Sequence, residues 1–464
     1  MGIADDSVNK PAKGEKIGFF RYLARCHAHA LCLCLFLGSG AVFASPPELG
    51  SDLKWAVFAS PPELGPEPKW VAADSLLGVI DEALANDPQL AIRRSEVAAA
   101  GFDLDAAEWG RWPTLGLDSK ALDNGYQVAA RAEQPIWSGG RISSQIEVSG
   151  AARDVALAAL METRLDVVLD TSNIFFEILR LREQLHYAVL NEQEHVELLA
   201  MIERRVASKI SPGSDAVLAN SRRQRALTTR IQTQKQLREA EVALAQALGK
   251  AVATNTLREP ERIELGDLGF QTLVERAQDY SPKRKRLLAG VDKAAADVDL
   301  ARSRNKPNIA LGYEHTVADS IGFRRTEDGQ VYVSVTVQTG AGLSNRASVS
   351  AASSRREAAL VAISDHQLKL RQQIESLWAE VAALSSQVEP MQSIVEGSEA
   401  MVASYLRQFQ VGKKSWLDVL NAQSEKSQAY FLKTDTLMPL LRAKFHLLVL
   451  AGEFKPDVQE AAKQ

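Results

Sequence analysis

Cysteine is nearly absent. The three cysteines, Cys26, Cys32 and Cys34, lie close together near the start, so no disulfide framework can staple the rest of the chain. The apolar run at 30–37, continued by Gly38, Ser39 and Gly40, is too short and too broken by glycine for a membrane-spanning helix. Neither sign of charge dominates: the net value is −4, which excludes a basic field of the size a nucleic-acid partner needs. The seven histidines are scattered, without H-E-x-x-H or similar metal spacing. Gly412-Lys413-Lys414-Ser415 lacks the upstream glycine and the preceding strand of a phosphate loop. No catalytic constellation, metal set or cofactor motif emerges, and an enzyme is not expected.

What remains is rich in Ala, Gln, Glu, Arg and Leu, the composition of long helices and coiled coils. Lys13, Lys16, Arg21 and Arg25 precede the short apolar run, and Val42-Phe43-Ala44 follows it, so residues 1–44 read as an export signal cleaved after Ala44. Cys32 and Cys34 each follow a leucine, which excludes a lipoprotein site. Residues 41–50 recur almost at once as 56–65, making 45–74 a Pro-rich, extended or disordered segment with a second possible cleavage point after Ala59.

From Ser75 onward the chain repeats itself. Ser75 or Asp74 caps a short amphipathic helix, stopped at Asn86-Asp87-Pro88. Pro88 opens an Ala-rich helix ended by Arg111-Trp112-Pro113. A strand over 114–120, an Asp123-Asn124-Gly125 turn and a returning strand over 126–135 form a hairpin. An unbroken helical pattern then runs over 142–209, roughly 100 Å at the helical rise. It turns at Pro212-Gly213 into a helix of about half that length. The second half restarts at the same intervals: Pro282 and Pro307 are spaced as Pro88 and Pro113 are, and Asp418 and Gly452 as Asp215 and Gly249 are. Its hairpin has a longer polar loop through Asp319-Ser320 and 324–329, and Pro390 and Pro439 are expected to bend their helices. The domains expected are a first repeat at 75–256, a linker at 257–270, a second repeat at 271–455 and a tail at 456–464, each repeat being helix, hairpin, long helix, turn and helix.

The shorter helices of each half sum to nearly the length of the long one, so they can stack end to end beside it. Two hairpins give four one-sided strands of the length a tilted membrane strand needs. Four strands cannot close, and an open edge in lipid leaves backbone groups unpaired, so the chain must oligomerise. The rival reading is a periplasmic coiled-coil scaffold without a pore.

The duplicated plan, the motif Gln134-Pro135-Ile136-Trp137-Ser138-Gly139-Gly140-Arg141 and the turn from Val411 through Gly412, Trp416 and Asp418 to Leu420 resemble the TolC-type outer membrane channel family over nearly all of 75–454. The resemblance implies a mainly α fold with a membrane β-barrel: a long antiparallel α-helical tunnel plus four strands per chain, a homotrimer forming a twelve-strand barrel. It implies a place in the outer membrane of a Gram-negative bacterium, in contact with lipid, with a long periplasmic extension. The partners implied are a periplasmic membrane-fusion adaptor and an inner-membrane ABC transporter, or alternatively a proton-driven pump. Within the family, Arg407-Gln408-Phe409 and the stretch from Gly412 to Asn421 are similar to outer-membrane partners of type I secretion systems exporting large adhesins. Small-molecule or metal efflux is the alternative.

A trimer triples every residue at the tunnel mouth. Asp418 facing inward makes a ring of three carboxylates, favouring cations and raising at least one apparent pKa by repulsion. The resemblance places the gate at Asp418 and Lys414, with Asn421 standing where relatives often carry a second acid. Asp215 is the first-half counterpart, and helix N-capping is the competing role for either Asp. Trp416 is either packed between helices or an anchor for the adaptor. Val206, Ile210, Pro212, Gly213, Val411, Gly412 and Lys413 are the other docking candidates. Trp112, Trp137, Tyr313 and Tyr332 are the candidates for an aromatic belt at the membrane interface.

Overall fold

A computed structural model describes residues 75–453 apart from 123–124, 252–253, 261–262, 267, 321–325 and 339. The export signal, the Pro-rich segment 45–74, the tail 456–464, and the turn and loop residues Asp123, Asn124, Arg324 and Arg325 lie outside the described residues.

The elements follow the local chemistry. Helix α1 (Leu76–Asn86) is capped by Ser75, whose Oγ accepts from the Gly78 amide at 3.2 Å. Helix α2 (Pro88–Trp109) starts on the proline, and Asp87 Oδ1 accepts from the amides of Gln89 and Leu90 at 2.7 and 3.2 Å. Strands β1 (Thr114–Leu122) and β2 (Gly125–Trp137) lead to α3 (Arg141–Ala207) and α4 (Gly213–Leu248). The plan repeats as α5 (Phe270–Tyr280), α6 (Pro282–Ser303), β3 (Asn308–Ser320), β4 (Thr326–Thr336), α7 (Ser344–Gln410) and α8 (Trp416–Leu450). Ser281 caps α6 as Asp87 caps α2. The second hairpin's loop is shorter than its polarity suggests, because β3 extends through Ser320 and β4 begins at Thr326; cross-strand pairing outweighs the turn-forming residues. Helix α7 continues through Pro390, and α8 through Pro439.

Helices α2 and α4 lie along successive lengths of α3, as α6 and α8 lie along α7, and α3 packs on both α6 and α8. Across the helical layer the order is therefore α2–α3–α6–α7 near the sheet and α4–α3–α8–α7 away from it. The largest core sits at mid-length, where the apolar face of α1 (Val79, Ile80, Ala83) wedges against Phe175 and Phe176 of α3 and Phe445 of α8. Phe175 meets Phe176 edge-on at 5.6 Å, and Phe176 meets Phe445 at 6.2 Å. Such side chains contribute about 1.5–3 kcal/mol each on burial. The stretch expected as a linker is held down: Leu257 and Ile263 join this core, and Arg182 donates to the carbonyls of Thr254 and Leu257 at 3.2 and 2.7 Å.

The strands form one antiparallel sheet in the order β1-β2-β3-β4, so β2–β3 pairing joins the two halves and β1 and β4 are its edges. Register separates the faces. The row Leu115–Ala132–Tyr313–Val331 lies on one, and Gly116–Arg131–Glu314–Gln330 on the other. The apolar face is exposed, with Leu115, Leu117, Val331 and Val333 between 66% and 79% accessible. On the polar face the Tyr332 ring lies where a side chain at Gly312 would stand. Gly312→Val should therefore cost about 1–3 kcal/mol through overpacking. The yield of folded protein should fall, while Gly116→Val, with open space around it, leaves the yield unchanged.

Candidate functional site

The end of the helical layer away from the sheet is made of two turns built alike. In the α7–α8 turn Gly412 takes φ +75°, its amide donates to Phe409 O at 3.0 Å, and Lys413 N donates to Gln408 O at 2.9 Å. In the α3–α4 turn Lys209 stands in the glycine's place at φ +57°, with Lys209 N to Val206 O and Ile210 N to Arg205 O, both at 2.9 Å. Both turns thus close by the helix-ending pattern that a left-handed residue allows. Lys209 is the one described non-glycine residue with positive φ.

The two aspartates occupy the same helical position, and neither is an N-cap. Ser415 caps α8: its Oγ accepts from the Asp418 amide at 3.1 Å and donates to Asp418 Oδ2 at 2.7 Å, while the Ser415 amide donates to Oδ2 at 3.0 Å. This capping box satisfies two free helix-end amides at once. These bonds, and after them Lys414, hold the Asp418 carboxyl below the usual carboxylate range. Within one chain its shift is thus opposite to the rise expected for a carboxylate ring. Asp215 follows Pro212, which has no acceptor side chain, so the first turn lacks the box. Lys414 Nζ sits 4.2 Å from the Tyr405 ring centroid, a cation–π contact. Asn421 Oδ1 accepts from Arg222 Nη2 at 3.1 Å, tying α8 to α4.

Trp416 resolves to packing. It is 3% exposed, its ring 5.0 Å from Phe409, within a cluster with Leu198, Ile202, Ala219, Val419 and Leu420. The reason it is not an exposed anchor is position: as the first residue of α8 it faces α3 and α7, and burying its ring removes more apolar area from water than any neighbour could. Arg205 covers the Phe409 ring at 4.7 Å. Val206 is half-buried, while Ile210, Pro212, Gly213, Val411, Gly412 and Lys413 are exposed. The sequence reading passed over Val217 and Leu417, which at 73% and 48% exposure extend the apolar tip; their helix-start positions were the available signal. It also missed a polar link above the tip, where buried Gln423 donates to Asn191 and Glu194 and Lys426 pairs with Glu194 at 2.5 Å.

At the sheet end, Trp137 and Tyr313 lie on the apolar face. Tyr332 does not: strand alternation puts it on the polar face over Gly312, a correction to its place in an aromatic belt. Trp112 pairs with Trp109 at 6.3 Å where α2 meets β1, both largely exposed; Trp109 was not anticipated. On the polar face Arg131 donates to Glu314 at 2.8 Å and to Asp118 at 2.9 Å, bridging β1, β2 and β3. Among the described residues no group of three or more His, Cys, Asp and Glu could hold a metal ion, and no helix is long and apolar enough to cross a membrane.

This geometry has relatives. The family model for outer membrane efflux proteins matches residues 79–250 and 273–431. Protein CyaE of Bordetella pertussis is 25% identical over 259 residues, 52% of this chain and 54% of its own, so the chain spans about half the length of this curated relative. The outer membrane protein VceC of Vibrio cholerae has a similar fold, with a TM-score of 0.69 at 16% identity, over 81% of this chain and 96% of VceC. So has the open state of the MtrE outer membrane channel of Neisseria gonorrhoeae, with a TM-score of 0.68 at 16% identity, over 83% of this chain and 90% of MtrE.

Proposed function

Because the chain belongs to the outer membrane efflux protein family, we propose that it is the outer-membrane duct of a type I secretion system, closed by three copies. Its substrate is a large protein such as an adhesin, passed on by an adaptor and an ABC transporter. The observation that carries the duct is the sheet: four strands with one exposed apolar face, one polar face and two unpaired edges. Lipid tolerates such edges only when a barrel closes, and three copies supply twelve strands. The duct is passive, and the driving energy belongs to its partners. The secretion assignment rests on the tip motif from Arg407 to Asn421. A second reading, the same duct serving small-molecule or metal efflux, draws on the family's description as efflux proteins.

In this reading three Asp418 carboxylates converge at the tunnel mouth, with Lys414, Asn421 and Asp215 around them, while the exposed tip residues Ile210, Pro212, Val411 and Lys413 meet the adaptor. The test is single-channel conductance in planar bilayers. Wild-type protein should form cation-preferring channels, and Asp418→Ala should lose much of that preference, while the missing capping box costs about 1 kcal/mol locally. Folded trimers that never conduct would sink the duct and favour a scaffold. Channels indifferent to the substitution would return Asp418 to its capping role.

A further inference from the structure

Each of the four places where a helix meets a strand carries a cation. Arg111 lies between α2 and β1, and Arg141 opens α3 after β2. Arg304 and Lys306 lie between α6 and β3, and Arg346 stands in the first turn of α7 after β4. Acids are missing from the same stretches: residues 109–117, 134–146, 300–313 and 329–356 contain none. Glu108 and Glu147 are the flanking acids, on the helix side of Arg111 and Arg141. All five cations are exposed. Arg302 pairs with Asp299 at 3.1 Å, whereas these five make no ion pair among the described residues.

Local contacts hold the five at one level. Gln134 donates to Arg111 O at 3.0 Å, which keeps that residue against the end of β2. Lys306 lies on Gly139, its Cβ and Cδ standing where a side chain on that glycine would be, two residues from Arg141. Asn345 Nδ2 donates to Gln338 O at 2.7 Å, which keeps Arg346 beside the chain leaving β4. Three tryptophans share this level: Trp109, Trp112 and Trp137 are 69%, 63% and 46% exposed. Immediately beyond them the exposed apolar face of the sheet begins, at Leu115 on β1 and Val335 on β4.

We propose that this basic girdle binds the phosphates of anionic phospholipids in the leaflet on the helix side of the membrane, selecting phosphatidylglycerol-type headgroups over zwitterionic ones. This rests on the membrane-spanning sheet proposed above and deepens it by naming the lipid chemistry at its helix-side rim. An apolar band bordered first by tryptophan and then by unpaired cations matches, in order, the acyl chains, the interface and the phosphates of a bilayer. A guanidinium takes two phosphate oxygens at once, and long basic side chains reach the headgroup level while their stems stay on apolar surface. A zwitterionic headgroup brings its own cation, which repels these arginines and offsets the phosphate. Net negative charge is therefore what five unpaired cations select.

The test is the lipid that the purified protein retains from detergent holding equal amounts of phosphatidylglycerol and phosphatidylcholine, read by native mass spectrometry. Wild type should retain several-fold more phosphatidylglycerol. R111Q/R141Q/R346Q should lose most of that preference, and R111K/R141K/R346K should keep it. K235Q/R238Q, which neutralises exposed cations on α4 away from the sheet, should leave it unchanged. Equal retention of the two lipids by wild type would overturn the proposal. So would a preference that survives the glutamine substitutions or falls as far in the α4 control. If the glutamine variant does not fold, wild type decides: raising salt from about 0.05 M to about 0.5 M should shrink the preference, and a preference unmoved by salt would overturn the girdle. Conducting channels without lipid preference would sink this inference alone. Folded protein that never conducts and retains neither lipid would sink the duct reading with it.

Discussion

Trp416→Ala is expected to loosen the tip by about 3–5 kcal/mol, the usual cost of removing a large buried aromatic. The ring is the largest side chain of a small cluster that holds the start of α8 against α3 and the end of α7. Among the described residues no other core lies close enough to compensate, since the next cluster along the layer is built around α1, far up the helices. Two readouts should move together. Trypsin should cut faster at Lys413 and Lys414, whose turn would lose its anchor. Single-channel conductance should rise, because the α7–α8 turn would no longer be held to α3–α4. The indole Nε1 has no hydrogen-bond partner among the described residues, so Trp416→Phe should cost much less. Tip proteolysis and conductance unchanged by the alanine would show that the cluster does not hold the mouth.

The second large effect is acid destabilisation. His446 hydrogen-bonds Ser172 at 3.0 Å across α3 and α8, and burial, followed by Arg442, depresses its pKa to about 4. Burial lowers His195 and His366 in the same direction, and His366 meets Ser281 at 2.9 Å. An unfolded chain takes up these protons near pH 6.5, while the folded one resists until lower pH. The stabilisation is therefore full above about pH 6.5 and is lost as the pH falls toward about 4. For His446 the loss is about 2 kcal/mol once screening of its solvent-reached edge is allowed for. Melting followed by helical circular dichroism should show the midpoint dropping between pH 7 and pH 4.5, with a shallower drop in His446→Gln. An identical pH slope in that variant would remove His446 from the account.

Much of this could be read locally. Pro88 and Pro282 begin helices because a first-turn proline loses no hydrogen bond, and the equal spacing of the repeats follows from chain positions alone. Strand faces were legible where apolar and polar residues alternate, as at Leu115–Leu117 and Val331–Val335. The same period-two rule already separates Tyr332 from Tyr313's side of the sheet, and grouping both as belt residues overlooked it. Asp418 could be placed at a helix start, but whether it caps α8 or closes a box with Ser415 turns on one residue of helix boundary, which side-chain bonds decide.

The sequence by itself determined the duplicated order of elements and the period of each, because both depend on neighbours within a few positions of the chain. Only the tertiary structure decided that α3 lies between α4 and α8, that β2 pairs with β3, and that Trp416 turns inward onto Phe409. Those outcomes depend on apolar area removed from water between segments far apart in sequence. No local pattern specifies which of several comparable faces will meet.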